Sequence, residues 1–539
     1  MVNVLAITPF GLLVGLGAAA ADAPATTCER LAPIALAGAK VTSAVTIAAG
    51  AFQAPANLPP WLVGDPSTYK KLPAFCRVRA EARPSADSEI KIEVWMPASG
   101  WNGRLRAQGN GGFAGEIDYG GLAAAVAQGY ASAATDTGHS ASATDARWAL
   151  GHPEKVIDFG YRGIHEMTQA AKAAMKSFYG KDPRRSFFSG CSNGGRQALM
   201  EAQRFPGDYD GIVAGAPANF WSHLLTSALW DAQATTNDDA SYIPPAKLPA
   251  IARAVDDACD AQDGVTDGIL NDPRQCRFDP AVMKCRDGDA PTCLTEPQAA
   301  ALKKLYAGPR DAQGRRIFPG FLPGAEQGQG GWGLWITGEA PGRGLLFAFA
   351  NGFFANMVYG KPDWDYKTAD LAEALKAAVD KTARTLDATE ANLKPFKDRG
   401  GKLILYHGWN DPAISALNTI DYYDSVVGAM GASDVASFVR LYMAPGIQHC
   451  AGGPGTGSFG QGPGRESDPR HNVQLAVEQW VETGIAPSVI VASRYGEAPT
   501  ADAAAPVKMT RPFCPYPQVA VYKGAGDTND AASFDCRSR

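Results

Sequence analysis

Cys191-Ser192 and His449-Cys450 stand far apart in this 539-residue chain, yet a bond between the two cysteines would bring a serine hydroxyl beside an imidazole. A disulfide holds its Cα atoms about 5.5 to 6 Å apart, so the residues flanking bonded cysteines become neighbours. A serine hydroxyl attacks poorly until a base takes its proton, and the base needs a carboxylate to fix its tautomer and steady the imidazolium. Ser192, His449 and Asp411 supply those three groups. Together they would perform nucleophilic acyl transfer.

Ser192 lies in Gly190-Cys191-Ser192-Asn193-Gly194, which fits the G-x-S-x-G turn that presents a nucleophile between a strand and a helix. A pentapeptide this glycine-rich also arises as a plain turn, so its flanks and its partners carry the specificity. Asp411 sits in Gly408-Trp409-Asn410-Asp411-Pro412, which makes the chain order Ser, Asp, His, that of α/β-hydrolases. His407 and His139 compete for the role of base, but His449 alone adjoins a cysteine that could bond Cys191. Acyl transfer also needs N–H donors at the developing oxyanion: one is expected from Asn193 and a second from Gly111 or Gly112. Asp136-Thr137-Gly138 resembles half of an aspartic-protease site, but no second D-T-G exists to share the proton, so it reads as a loop after a strand.

These residues need a scaffold. Glu89 to Trp95 alternates like a half-buried strand; Arg104 to Ala107 and Tyr130 to Ala134 are further strand candidates, the first running into Gly109-Asn110-Gly111-Gly112. Gly163 to Tyr179 has helical apolar spacing, Arg185 to Ser189 is a strand ending at the serine turn, and Arg196 to Arg204 is a helix. Lys402 to Tyr406 and Phe438 to Met443 are buried strands that lead to Asp411 and His449. All three reactive residues therefore follow strand ends, where the ligand crevice of an open α/β sheet lies. The expected class is α/β: an α/β-hydrolase core formed by 22–216 and 395–539, with an inserted lid over 217–394, where the strand and helix alternation fades.

Composition agrees with a globular enzyme: 45% hydrophobic residues, 9% aromatics and a net charge of -5 exclude a disordered chain and a nucleic-acid surface. Residues 1–21 read as a signal peptide, although no Lys or Arg precedes the apolar run, and imply a secreted or periplasmic protein with no membrane attachment after cleavage. The ten cysteines, Cys28, Cys76, Cys191, Cys259, Cys276, Cys285, Cys293, Cys450, Cys514 and Cys536, are even in number without a metal-type C-x-x-C pair, which favours five disulfides and an oxidising compartment. Spacing leaves their connectivity open; Cys259 with Cys276, Cys285 with Cys293, and Cys514 with Cys536 would close local loops.

Asp260, Asp263 and Asp267, with turn glycines between them and the carbonyls of Val265 and Ile269, form an oxygen cluster suited to structural Ca²⁺, at spacings unlike an EF-hand; a solvated Asp/Gly turn is the alternative. Trp332, Trp335, Phe347, Phe349, Phe353, Phe354, Tyr359, Trp364 and Tyr366 crowd one stretch, from which at most about a third would line a substrate pocket and the rest the core. Arg343 could meet a substrate carboxylate, but a solvated surface arginine is the simpler expectation.

With these residues in view, the chain resembles the tannase and feruloyl esterase family, which includes the mono(2-hydroxyethyl) terephthalate hydrolases. The marks are GCSNGGR at 190–196, HGWNDP at 407–412, QHC at 448–450, GNGGFAG at 109–115 and CDAQDGVTDG at 259–268. The resemblance implies a serine carboxylesterase acting on small aromatic esters of feruloyl, galloyl or terephthalate-monoester type, with the triad Ser192, Asp411 and His449 and the Cys191–Cys450 bridge. It further implies calcium in the lid and the pairs Cys28–Cys76, Cys259–Cys276, Cys285–Cys293 and Cys514–Cys536. Two rivals are a serine peptidase on the same fold and a non-catalytic binding protein that keeps the scaffold.

Overall fold

The computed structural model describes residues 24–56, 58–461, 467–497 and 505–538; the expected signal peptide at 1–21 lies outside them. Ten strands form one sheet: β1 (Ala35–Leu36), β2 (Ala39–Ile47), β3 (Phe75–Ala82), β4 (Ile90–Pro97), β5 (Arg104–Gln108), β6 (Ala131–Thr135), β7 (Arg185–Cys191), β8 (Gly211–Gly215), β9 (Lys402–Gly408) and β10 (Val439–Ala444). Their order is β1-β2-β3-β4-β6-β5-β7-β8-β9-β10. The first four pair antiparallel, β4 meets β6 antiparallel, and β6 through β10 run parallel.

The parallel half is covered on both faces, which explains why its strands read as continuous apolar runs. Side chains alternate along them: Ile212, Ala214, Leu403 and Leu405 join one core with the helices Gly163–Tyr179 and Asn193–Arg204. Val213, Ile404 and Tyr406 point the other way, onto the helix Val473–Thr483. The C-terminal part adds two hairpin pairs, β11 (Ile490–Tyr495) with β12 (Val507–Phe513) and β13 (Gln518–Tyr522) with β14 (Phe534–Ser538).

Between β8 and β9 the chain builds helices and no named strand. The helices Trp221–Thr236, Leu248–Cys259, Glu296–Ala307, Leu345–Gly352 and Leu371–Leu386 are amphipathic enough to need a common interior. They find it around Leu229, Ile251, Leu302, Trp332, Phe353 and Phe354, a core that also takes in Phe113, Phe159, Ala413 and Ile414 from the sheet-side loops. The inserted segment is thereby seated on the loops at the carboxyl ends of the strands. All five disulfides are formed: Cys28–Cys76, Cys191–Cys450, Cys259–Cys276, Cys285–Cys293 and Cys514–Cys536.

Candidate active site

β7 ends at Cys191, and the next helix begins at Asn193, so Ser192 alone makes the turn, with φ 64° and ψ −124°. Sequence periodicity placed that helix start at Arg196; the glycines that obscured it are required by close backbone approach. A Cβ on Gly190 would strike the backbone of Gly194, and one on Gly195 the carbonyl of Gly215. The left-handed serine is held by its own backbone: its N–H donates to Gly215 O at 3.0 Å, and its carbonyl accepts from Arg196 N and Ala218 N at 3.1 and 3.0 Å.

Asp411 and His449 follow β9 and β10 and meet there. His449 Nδ1 donates to Asp411 Oδ2 at 2.8 Å, an arrangement that leaves its Nε2 as the free acceptor. Asp411 is buried, and its other oxygen accepts the N–H groups of Ala413 and Ile414 at 2.8 and 3.0 Å. Burial pushes the Asp411 carboxyl up, but the charge of His449 and the bonds from His407 and His449 outweigh it and hold the group well below the ordinary carboxylate range.

The two competing histidines are engaged elsewhere. His407 is fully buried, with Nε2 donating to Asp411 Oδ2 and Ile414 O, both at 3.0 Å, and Nδ1 accepting from Thr419 Oγ1 at 2.7 Å. It steadies Asp411 from behind. His139 stacks on Trp148 and donates Nε2 to Phe113 O at 2.8 Å; burial lowers its pKa to about 4. Asp136 accepts the N–H groups of Lys91 and Gly138, both at 2.9 Å, which makes the D-T-G a strand-end loop.

Ser192 and His449 line one open pocket together with Gly112, Asn193, Ala218, Trp221, Leu224, Leu225, Trp335, Leu346, Phe349, Ala413 and Ile414. Across the chain, Cys191 and Cys450 hold their Cα atoms 5.9 Å apart. Gly112, at φ 53°, lines the pocket, whereas Gly111 is exposed and outside the lining, so Gly112 is the better placed of the two expected oxyanion glycines. Its loop is tied to the serine helix, because Asn110 N donates to Gln197 Oε1 at 2.9 Å. A larger cavity, about 300 Å³ and lined by Asn219, Arg316, Phe318, Asp421 and Tyr422, contains neither Ser192 nor His449. Of the crowded aromatics only Trp335 and Phe349 reach the reactive pocket, with Trp335 edge-on to His449 at 4.8 Å. Trp332, Phe353 and Phe354 are core, and Arg343 is exposed. Trp221, Leu224 and Leu225 were not singled out in the sequence, since a buried helix face carries no mark of which side meets substrate.

Arg196 is wholly buried behind this pocket. Its Nε donates to Asn193 Oδ1 at 2.9 Å, and its two terminal nitrogens to the carbonyls of Phe159, Gly160 and Leu386 at 3.0, 2.8 and 3.4 Å. The rings of Phe159 and Trp221 flank it at 4.7 and 5.1 Å, and burial lowers its pKa to about 9. Arg196→Met would leave these acceptors buried and unpaired, so it is expected to cost about 3 kcal/mol, read as a lowered midpoint in denaturant unfolding. An unchanged midpoint would mean that water replaces the guanidinium at no cost.

In the inserted segment, Asp260 Oδ2 accepts Gly268 N, Asp263 accepts Val265 N and Asn271 N, and Asp267 accepts Ile269 N at distances of 3.0 to 3.1 Å; Asp267 also pairs with Arg511 at 2.5 Å. Among the described residues no three carboxylate, His or Cys side chains converge as a ready metal cage. The donor chemistry nevertheless suits a hard cation: Asp260 Oδ1 is buried without a partner, and burial, with neighbouring carboxylate charge adding to it, raises the pKa of Asp263 and Asp267.

Comparison with known proteins follows the same lines. The family model described as tannase and feruloyl esterase matches residues 76–537. An uncharacterized esterase of Xanthomonas campestris is 42% identical over 97% of this chain and 93% of its own. The mono(2-hydroxyethyl) terephthalate hydrolase of Piscinibacter sakaiensis is 34% identical over 88% and 87%. The crystal structure of feruloyl esterase B from Aspergillus oryzae superimposes with a TM-score of 0.85, at 29% identity, over 95% of this chain and 99% of that one.

Proposed function

The chain belongs to the tannase and feruloyl esterase family, and from that premise we propose that it is a serine carboxylesterase cleaving esters of aromatic acids through an acyl-enzyme. Ser192 Oγ attacks the ester carbonyl while His449 Nε2 takes its proton, and Asp411 steadies the imidazolium at Nδ1. The oxyanion forms beside the backbone N–H groups of Asn193 and Gly112. Collapse expels the alcohol, which receives the proton from His449. Water then attacks the acyl-enzyme by the same base and releases the acid.

The observation that supports this most is the sharing of one apolar pocket by Ser192 and a His449 whose Nδ1 is already committed to a buried carboxylate. Methyl ferulate, methyl gallate and mono(2-hydroxyethyl) terephthalate, offered side by side, test it together with labelling by a fluorophosphonate. Turnover of at least one ester, and one label on Ser192, are expected; neither turnover nor label would sink the reading.

Ca²⁺ belongs to the same proposal, held by the carboxylates of Asp260, Asp263 and Asp267 and the carbonyls of Val265 and Ile269, where it would cross-link a loop already closed by Cys259–Cys276. Its role is structural. Chelation is expected to lower the thermal midpoint by several degrees and calcium to restore it. A midpoint indifferent to both would remove the metal from the account. Export through the segment 1–21 fits five disulfides, which persist in oxidising compartments. Among the described residues no helix is long and apolar enough to cross a membrane.

A further inference from the structure

We infer that the acyl pocket selects neutral, weakly polar aryl groups and rejects acyl groups that carry a second carboxylate or several phenolic hydroxyls. This rests on the reading of Ser192 and its pocket given above. The walls beyond Ser192 and His449 are Ala218, Trp221, Leu224, Leu225, Trp335, Leu346, Phe349, Ala413 and Ile414, and among the described residues of the lining none carries a positive charge.

Two candidate cations, Arg196 and Arg343, do not repair that lack. Arg196 lies behind Trp221, its guanidinium 5.1 Å from the ring, with its three nitrogens directed to Asn193 and to three carbonyls. Arg343 is exposed and outside the lining. A carboxylate on the far end of an aryl acyl group would therefore enter an apolar wall with no ion partner, at a cost that falls on binding and on every later step.

Hydrogen-bond polarity adds a second filter. The lining holds no carboxylate, and its one side-chain amide oxygen, Asn193 Oδ1, is already taken by Arg196. Beyond Ser192 and His449 the walls therefore offer no side-chain acceptor to the O–H groups of a trihydroxyphenyl ring, whose burial without acceptors is penalised more than their absence is.

Dimethyl and monomethyl terephthalate form the decisive pair, since ring and scissile ester are the same and the far end differs by one charge. Initial release of the first methanol would be followed at neutral pH, each kcat/KM being normalised to the hydroxide-catalysed rate of the same ester. Dimethyl terephthalate is expected to exceed the monoanion at least about 100-fold, which at 1.36 kcal/mol per tenfold is about 2.7 kcal/mol. Methyl benzoate should exceed methyl gallate at least about tenfold by the same measure. Monoanion and diester turned over within threefold of each other would overturn the charge filter, and gallate at or above benzoate would overturn the polarity filter. Failure of every ester, together with no label at Ser192, is a different result: it removes the esterase reading and this inference with it.

Discussion

Ser192→Ala is expected to lower kcat by about 10⁴- to 10⁶-fold on any ester the wild type cleaves, the range seen when a catalytic serine is deleted from a preorganised site. The hydroxyl contributes little to the fold. The turn is held through the Ser192 backbone, by bonds to Gly215, Arg196 and Ala218, and alanine keeps all three. Alanine at φ 64° does carry a conformational cost of order 1 kcal/mol, which the flanking Cys191–Cys450 bridge and the paired backbone groups can absorb. The thermal midpoint should therefore move by only a few degrees while turnover vanishes. A variant that retains more than about a hundredth of wild-type kcat would rule Ser192 out as nucleophile, and one that fails to fold would be replaced by Ser192→Cys, which keeps the size of the side chain.

Asp411→Asn should cost about 10⁴-fold in kcat, because a carboxamide that turns its NH₂ toward His449 Nδ1 selects the wrong tautomer and removes the acceptor at Nε2. Here the change has a second consequence. Asp411 Oδ2 also accepts from His407 Nε2, so both imidazoles lose an anionic partner, and His407 loses it in the buried interior. Stability should fall as well, by about 3 kcal/mol near neutral pH. The pH dependence has a definite sign: the folded-state pKa of Asp411 is depressed, so its contribution is complete above the unfolded value of about 3.9 and is lost as pH falls from there through the lower folded value. The stability gap between wild type and Asp411→Asn should accordingly be constant from neutral pH to about 5 and narrow below about 4. A gap that stays constant into strong acid would show that Asp411 does not carry a depressed pKa.

The parallel half of the sheet was the most legible part of the fold, because strands covered on both faces must be apolar throughout, and Lys402–Gly408 and Val439–Ala444 read that way. β1 to β3 and the C-terminal pairs β11 to β14 escaped assignment except for the disulfide that clips β14, and their physical reason differs. β2 alternates Ala, Val, Thr and Ser at a half-exposed position, where neither apolar period nor turn residues stand out. The helix after Ser192 was missed at its first turn for the opposite cause: Gly194 and Gly195 are poor helix formers, and at Gly195 the carbonyl of Gly215 leaves no room for a Cβ.

By itself the sequence determined the candidate set that the proposal makes reactive. A serine in a strand-turn-helix context, an aspartate and a histidine past later strand ends, and a cysteine beside each end of that set are matters of residue type and order, and chain order follows from how a parallel sheet is wound. The tertiary structure decided how the two histidines differ in bonding: His407 and His449 both reach the same Asp411 oxygen, and Thr419 and Ile414 occupy what remains of His407. It also decided the character of the pocket. Trp221, Leu224, Leu225, Trp335, Leu346 and Phe349 come from three helices of the inserted segment, and helical periodicity reports that a face is buried without reporting what it is buried against.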